Sequence, residues 1–518
     1  MLEITEINGY RIGSYIIKDQ EVGVPCLLEL HKDHMEMDGV RLPKPLSYPF
    51  RDMMGDGEHG IVPLLRISKG APLNMAKKIQ TRNKELNGSG DIVPVFLSGY
   101  AELDDEVIEG LDAKIYMFDL EDERTLLNAY FRIRKRHPEA LCFCNCGPDE
   151  LPVLAYAGFD IFPETEENKA ALERLMLERS PQYIEMMACS SIRSKTLLDL
   201  LYHAHWAEFE PFLATPRNRE LYISRDAFWR PNTQKWVEDI KEGYMPQSNV
   251  FLLLPCSSRK PYSSSQSHRS FISLTRSVLG KGYASLCQLI ITSPYGVVPR
   301  DLESLIDYDI VVTGKWLPEE ISRSRDVLSS IISKTDNPVV IAHLPENELE
   351  TIKELEADVI VTTRGHPLSE ESMRNLKETL ESVKGDLPPP KDRYGDIRRF
   401  SEHIYGKDIF PESIYVKGKG IRQVFSEGVP FASLIWGIRP TNGDIEVSKK
   451  YVDIENFELK GDLFCVGVRE AEDGIRAGDE VVIRNDGKTV AVGTAVLPGC
   501  MMKKIRKGKA VKIRKRFH

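Results

Sequence analysis

The stretch NVFLLLPCSSRKPYSSSQSH, residues 249–268, decides how the middle of this chain folds. An unbroken apolar run ends in a loop holding one cysteine, one lysine, one tyrosine and six serines, and a histidine closes it. Short apolar runs bounded by turn signals read as strands buried on both faces. Four more such runs follow: SLCQLIITS (285–293), YDIVVTG (308–314), NPVVIAHL (337–344) and ADVIVTT (357–363). Helical segments fit between them, for example LPEEISRSRDVLSSIISK (317–334). Five strands with helical crossovers predict a doubly wound α/β sheet. In such sheets ligands bind beyond the carboxyl ends of the strands, and the Cys256 loop lies at such an end. TSPYGVVPRDLE (292–303) follows the next strand and should open on the same edge.

That convergence makes the two loops a candidate site. Cys256 sits just past a strand, with Arg259 and Lys260 close behind, and positive neighbours lower a thiol pKa. His268 is a candidate proton relay, because an imidazole ordinarily titrates near neutrality. Tyr262 and the serines offer neutral donors to a polar ligand. The competing reading is a flexible serine-rich loop with a buried cysteine and Ser267 capping a helix. Cys142, Cys144 and Cys146 alternate on one strand, a spacing unlike that of zinc sites, so buried structural thiols are expected there. His203 and His205 fall in an aromatic-rich helical stretch, KTLLDLLYHAHWAEFEPFL (195–213), and read as packing residues.

Upstream, IVPVFL (92–97), KIYMF (114–118) and ALCFCN (140–145) read as buried strands, and ETEENKAALERLMLER (164–179) as a helix with an acidic first turn. This β/α alternation is compatible with a barrel. Downstream, the three prolines of GDLPPPKDRYGD (385–396) mark a linker, and short strands with glycine-rich turns follow to the end.

The 518 residues are 42% hydrophobic, enough for several cores. Nine cysteines in that length form no disulfide framework, which points to reduced thiols and a cytoplasmic setting. MLEITEINGYRIG lacks the basic start and apolar core of a signal peptide, and no apolar run is long enough for a membrane helix. The net charge is −9, yet residues 501–518 carry nine Lys/Arg and no acid. A basic end on an acidic body suggests an anionic partner, with nucleic acid foremost. Its alternation, KAVKIRKRF, predicts a strand rather than a frayed tail.

PCSSRKPYSSSQSH matches the pattern PCS-x₂-KPY-x₂-S-x-SH and resembles the archaeosine synthases, archaeal tRNA-modifying enzymes related to tRNA-guanine transglycosylases. TSPYGVVPRDLE and TGKWLPEEI (313–321) look like further family segments. GDLFCVGVREAEDGIRAGDEVVI (461–483), with AVGTAV and KGKAVKIRKRFH, is similar to a PUA domain, a small RNA-binding pseudo-barrel. IYVKGKGIRQVF (414–425) looks like the domain that precedes it in archaeal transglycosylases. The resemblance implies an α/β multidomain chain: a degenerate TIM-barrel-like domain over 1–195, a doubly wound α/β core over 196–384, a small α+β domain over 385–447, and a C-terminal PUA β-barrel over 448–518.

It also implies a reaction. The substrate is tRNA carrying 7-cyano-7-deazaguanine at D-loop position 15. The side-chain amine of free lysine adds across the nitrile, and a radical-SAM partner subunit then releases archaeosine. The lysine step needs no cofactor. Cys256 is the expected nucleophile, Lys260 holds the thiolate or a phosphate, and His268 moves protons. Ser257, Tyr262, Ser265, Ser267, Ser293, Gly296 and Arg300 bind the base or the donor. Lys503, Lys504, Arg506, Lys507, Lys509, Lys512 and Arg514 contact RNA. A homodimer is compatible with this reading, and no membrane is involved. Three departures stand out. In GFDIFPET (158–165), Pro163 occupies the place of the transglycosylase nucleophile, and KPLSYPFRDMM (44–54) stands where the base-binding segment belongs. The zinc motif is reduced to Cys189 followed by Ser190 and Ser191, which leaves zinc doubtful. The alternatives are an amidotransferase using glutamine or ammonia, and a tRNA-binding scaffold without activity.

Overall fold

The computed structural model describes residues 2–17, 20–30, 34–43, 72–86, 92–95, 97–120, 122–216, 218–390, 393–418, 422–435 and 437–517. KPLSYPFRDMM lies outside them. The chain forms two compact units. The first takes residues 1–215, 452–487 and 493–514, and the second takes 216–451, 488–492 and 515–518. No helix among the described residues is long and apolar enough to cross a membrane.

The first unit opens with an antiparallel sheet of β1 (Leu2–Asn8), β2 (Tyr10–Ile17) and β3 (Gln20–Val24). A second sheet holds β4 (Cys26–Leu30), β5 (His34–Met37), β6 (Val40–Pro43), β7 (Ile92–Pro94), β8 (Ile115–Asp119), β9 (Leu141–Asn145) and β10 (Ile161–Pro163). Its order is β6-β5-β4-β10-β9-β8-β7. From β4 to β7 the strands are parallel, which makes a half-barrel. A TIM-like barrel was the expectation. Here β4 instead turns back through antiparallel β5 and β6, and no pairing of β6 with β7 occurs among the described residues. Helices Glu123–Arg136 and Glu166–Leu177 start where Asp122 and Thr165 accept hydrogen bonds from Thr125 N and Asn168 N.

Immediately before β10, Asp160 is fully buried. Its carboxylate accepts from Arg11 Nε at 2.8 Å, Arg11 Nη2 at 2.6 Å, Arg134 Nη2 at 3.1 Å and Cys142 N at 2.9 Å. Pro163 ends β10, buried, and its carbonyl accepts from Asn168 Nδ2 at 2.9 Å.

In the second unit β11 (Glu220–Tyr222) comes first, followed by β12 (Val250–Pro255), β13 (Cys287–Thr292), β14 (Gly296–Pro299), β15 (Tyr308–Ile310), β16 (Val339–Ala342) and β17 (Asp358–Val361). The main sheet runs β14-β13-β12-β16-β17, parallel except for β14. YDIVVTG was expected in this sheet. It instead supplies β15, which pairs with β11, while Val311 and Val312 are exposed. The fifth strand is β14, inside TSPYGVVPRDLE. Gly296 at φ +75° allows the tight reversal after β13, and Pro299 is tolerated because β14 is an edge.

Helices Gln266–Leu279 and Glu370–Val383 share a core with Val250, Leu252, Leu254 and Ile341. Alternation then turns Phe251 and Leu253 to the other face, so β12 is buried on both sides. The chain leaves β12 toward β13 and later returns past it to β16. The order therefore reverses between β12 and β16, and the crevice at that switch point is where such sheets take ligands.

Beyond the linker, helix Gly395–Tyr405 precedes an antiparallel sheet of β18 (Tyr415–Lys417), β19 (Arg422–Ser426), β20 (Val429–Leu434) and β21 (Ile438–Pro440). Last come β22 (Tyr451–Ile454), β23 (Leu463–Phe464), β24 (Val468–Ala471), β25 (Glu480–Asn485), β26 (Lys488–Ala495) and β27 (Lys509–Arg516), in the order β23-β27-β26-β25-β22-β24. The basic terminal segment is thus a strand, as its alternation predicts.

Candidate active site

Cys256 is the first residue past β12 and is exposed. The Thr292 hydroxyl, at the end of neighbouring β13, reaches its sulfur. Beneath lies a buried aromatic floor. Tyr262 OH is 3.2 Å from Thr292 Oγ1 and 3.0 Å from Tyr308 OH, and the rings of Tyr295 and Tyr222 stand edge-on to Tyr308. Lys260 lies over this floor, with Nζ 4.0 Å from the Tyr308 ring centroid. Burial pulls the Lys260 ammonium below the usual lysine range, although the nearby Cys256 sulfur opposes the shift. Tyr262 is fully buried, so it builds the floor rather than meeting solvent.

Cys256 was expected to have a lowered pKa. Its outer surface is open, but its inner side is crowded. Desolvation and the Glu348 carboxylate push the thiol up to about 11, against the pull of Lys260 and the Thr292 hydrogen bond. Burial outweighs the positive neighbours, and in the free protein Cys256 carries its proton.

His268 corrects a second expectation. Its ring is fully buried, with Nδ1 2.7 Å from Arg300 Nη2 and Nε2 2.9 Å from the Pro255 carbonyl. A guanidinium only donates, so Nδ1 accepts and Nε2–H donates to the carbonyl. Burial, and then Arg300, push His268 down to about 3. With both nitrogens engaged it is a clamp, not a proton relay. Arg300 Nη1 continues to Glu303 Oε2 at 2.9 Å, which accepts from Ser263 N at 3.0 Å. The chain of bonds from Pro255 to Ser263 pins both ends of the signature loop. The folded pKa lies below the ordinary 6.5, so this contribution to stability is complete above about 6.5 and is lost as pH falls toward 3. Carbon-13 labelling of the histidine rings should show His268 among the imidazoles that do not titrate between pH 8 and 5, as the silent signal lost in His268→Gln, with His343 the other strongly lowered ring. A midpoint near 6.5 for that ring would restore the relay.

The serines divide by role. Ser265, not Ser267, caps helix Gln266–Leu279, accepting from His268 N at 3.3 Å, and Ser267 Oγ lies 3.3 Å from Ser265 Oγ. Ser257 Oγ donates to Arg259 O at 3.1 Å. Ser293 Oγ is buried without a partner among the described residues. A Cβ on Gly296 would crowd Arg323, so this glycine serves the backbone. Sequence reasoning missed Thr292, Tyr308 and above all Glu348, on the short helix Glu346–Ile352 that follows β16. The available signal was an acid just beyond a predicted strand, in HLPENE.

No cluster of three or more His, Cys, Asp or Glu is arranged for a metal ion among the described residues. Cys142 and Cys144 are buried in β9, and burial pushes the Cys142 thiol up to about 11. Cys189 is exposed and its thiol donates to Glu185 O at 3.4 Å. In the basic segment Lys503, Arg506 and Lys512 are exposed and Lys507 is half-buried. Lys509 pairs with Asp462 at 2.7 Å, Arg514 pairs with Glu480, and Lys504 Nζ donates to Lys135 O at 2.9 Å.

The fold and site define a two-unit α/β protein with a thiol at a sheet switch point and a C-terminal PUA domain. The PUA model matches residues 451–517, and a model described as "Domain of unknown function (DUF5591)" matches 233–380. The archaeosine synthase of Methanocaldococcus jannaschii is 33% identical over 423 residues, covering 71% of this chain and 72% of that one. The chain belongs to the archaeosine synthase family. The archaeosine synthase subunit alpha of Thermococcus kodakarensis is 38% identical over 330 residues, 58% of this chain and 57% of that one, so the match spans little more than half of that relative. The tRNA-guanine(15) transglycosylase of Methanobrevibacter smithii is 21% identical over 442 residues, covering 78% and 63%.

Proposed function

We propose that this chain adds the side-chain amine of free lysine to the nitrile of 7-cyano-7-deazaguanine at position 15 of tRNA, through a thioimidate on Cys256. The observation that carries the reading is an open thiol at the switch-point crevice, above a buried floor that also holds Lys260. A nitrile carbon is electrophilic enough for a thiol to add without a cofactor, and an amine then displaces sulfur to leave an amidine. The names of the relatives support archaeosine chemistry on tRNA, and a relative called subunit alpha supports a partner subunit, here a radical-SAM lyase acting on the product. The half-barrel serves docking rather than base exchange, since Pro163 offers no nucleophile and Asp160 is locked between two arginines.

A second reading keeps the same crevice but has the amine attack directly, with Cys256 only lining it. The raised thiol pKa favours it. Incubating the full chain with nitrile-bearing tRNA and labelled lysine, glutamine or ammonia in turn tests the donor. Label from lysine alone is expected; label from glutamine or ammonia gives the amidotransferase, and none gives a scaffold.

For the RNA surface, Lys503→Ala with Arg506→Ala should weaken tRNA binding and reduce the slope of log affinity against log salt by about 1–2. Both side chains are exposed, so folding is spared. An unchanged slope removes these residues from the interface.

A further inference from the structure

We infer that Glu348 is a second catalytic residue, the carboxylate that takes the proton from Cys256 and passes it to the nitrile nitrogen. This rests on the lysine-transfer reading above. The argument starts from topology. β12 and β16 are hydrogen-bonded neighbours, and the chain diverges between them. Cys256 leaves the carboxyl end of β12, and Glu348 follows the carboxyl end of β16. The two residues therefore stand on opposite lips of one switch-point crevice, and the Glu348 charge raises the Cys256 thiol.

Glu348 has no structural employment to explain its burial. It is 6% exposed, and its Oε2 is buried with no partner among the described residues. A bare buried carboxylate oxygen costs stability unless something binds there. The helix packed against it, Pro318–Ile332, brings Arg325, but that guanidinium donates to Glu350 O at 2.7 Å and faces Glu354 at 3.8 Å. Lys260 acts on the sulfur rather than on Glu348. Cys256 is the titratable group on which the Glu348 charge acts. Burial pushes Glu348 up to about 8, so near neutrality the carboxylate that accepts the thiol proton is the minor form and turnover should rise toward pH 8.

The steps balance. The Cys256 S–H proton passes to the Glu348 carboxylate as sulfur bonds to the nitrile carbon. One bond of the C≡N triple bond opens, and its nitrogen takes the proton from Glu348, giving a neutral thioimidate. The neutral lysine amine then attacks the same carbon. Glu348 removes one of its protons, the C–S bond breaks, and sulfur receives that proton. The product is the amidine, and both residues return to their starting forms.

The test uses the full chain with nitrile-bearing tRNA and lysine. Glu348→Gln should lower the single-turnover rate about 10²–10⁴-fold with unchanged tRNA affinity, and Glu348→Asp should recover part of it. A second readout separates chemistry from support. Above pH 9 the Glu348 charge holds the Cys256 thiol up, so Glu348→Gln should speed iodoacetamide alkylation of Cys256, read by peptide mass, while turnover falls. Turnover and alkylation falling together would mean that Glu348 merely supports the loop, and the proposal fails. Wild-type turnover in Glu348→Gln alongside a dead Cys256→Ala would also overturn it. An active Cys256→Ala would instead sink the covalent reading itself.

Discussion

Cys256→Ala should lower lysine transfer by about 10³-fold or more while leaving tRNA affinity unchanged. The size follows from the step lost. Without sulfur there is no thioimidate, and the amine must attack a nitrile that nothing has activated. The specificity follows from the site. Cys256 is exposed, so the gap left by its sulfur is open to solvent, and β12 stays buried through Val250, Phe251, Leu252, Leu253 and Leu254. The folding free energy should shift by no more than about 0.5 kcal/mol. Withholding lysine from the wild type should trap the other half of the evidence, a base adduct on the peptide bearing Cys256. Substantial turnover by Cys256→Ala would leave direct amine attack as the mechanism.

The sequence displayed the strand ends and hid what lies beneath them. β12, β13 and β16 were legible because each is a largely apolar run, which a buried parallel strand requires, and the half-buried edge strand β17 was legible from its β-branched residues. β14 was not, since Gly296–Pro299 is short, contains proline and sits inside a loop motif. YDIVVTG misled for the opposite reason: it is apolar and β-branched, yet only Tyr308–Ile310 pairs, and two of its valines face solvent. At the site, residue types pointed to Cys256 and Lys260 but not to the sign of the thiol shift. That sign depends on burial and on the charge of Glu348, 92 positions away along the chain and invisible to local spacing. His268 shows the same limit. A histidine twelve residues from a cysteine reads as a relay until Arg300 and the Pro255 carbonyl are seen to occupy both nitrogens.

Asp160→Ala should destabilise the first unit by about 3–5 kcal/mol, the usual cost of removing one partner from a buried ionic group. The cost arises on the arginine side. Arg11 and Arg134 are each 2% exposed, and both point at the Asp160 carboxylate. Neither guanidinium would be without hydrogen bonds in the variant: Arg11 keeps the Pro138 and Ala140 carbonyls, and Arg134 keeps Ala140 at 2.7 Å and Gly158 at 3.0 Å. Carbonyl dipoles solvate a cation but do not neutralise it, so two buried positive charges would face each other across the vacated space. Asp160→Asn isolates that term. It keeps the volume, loses the charge and presents an amide N–H₂ where donors already converge, so it should also destabilise, though less. Denaturant unfolding checks both, with a fall in midpoint at unchanged slope. The same geometry bears on base exchange. Of the two carboxylates in GFDIFPET, the buried Asp160 neutralises two arginines and cannot attack a sugar, and Pro163→Asp should not restore exchange of labelled free base, because it would place a further carboxylate on a buried strand end. Stability near the wild-type value in Asp160→Ala would mean the arginines are neutralised by another group, and the carboxylate would again be available as a candidate nucleophile.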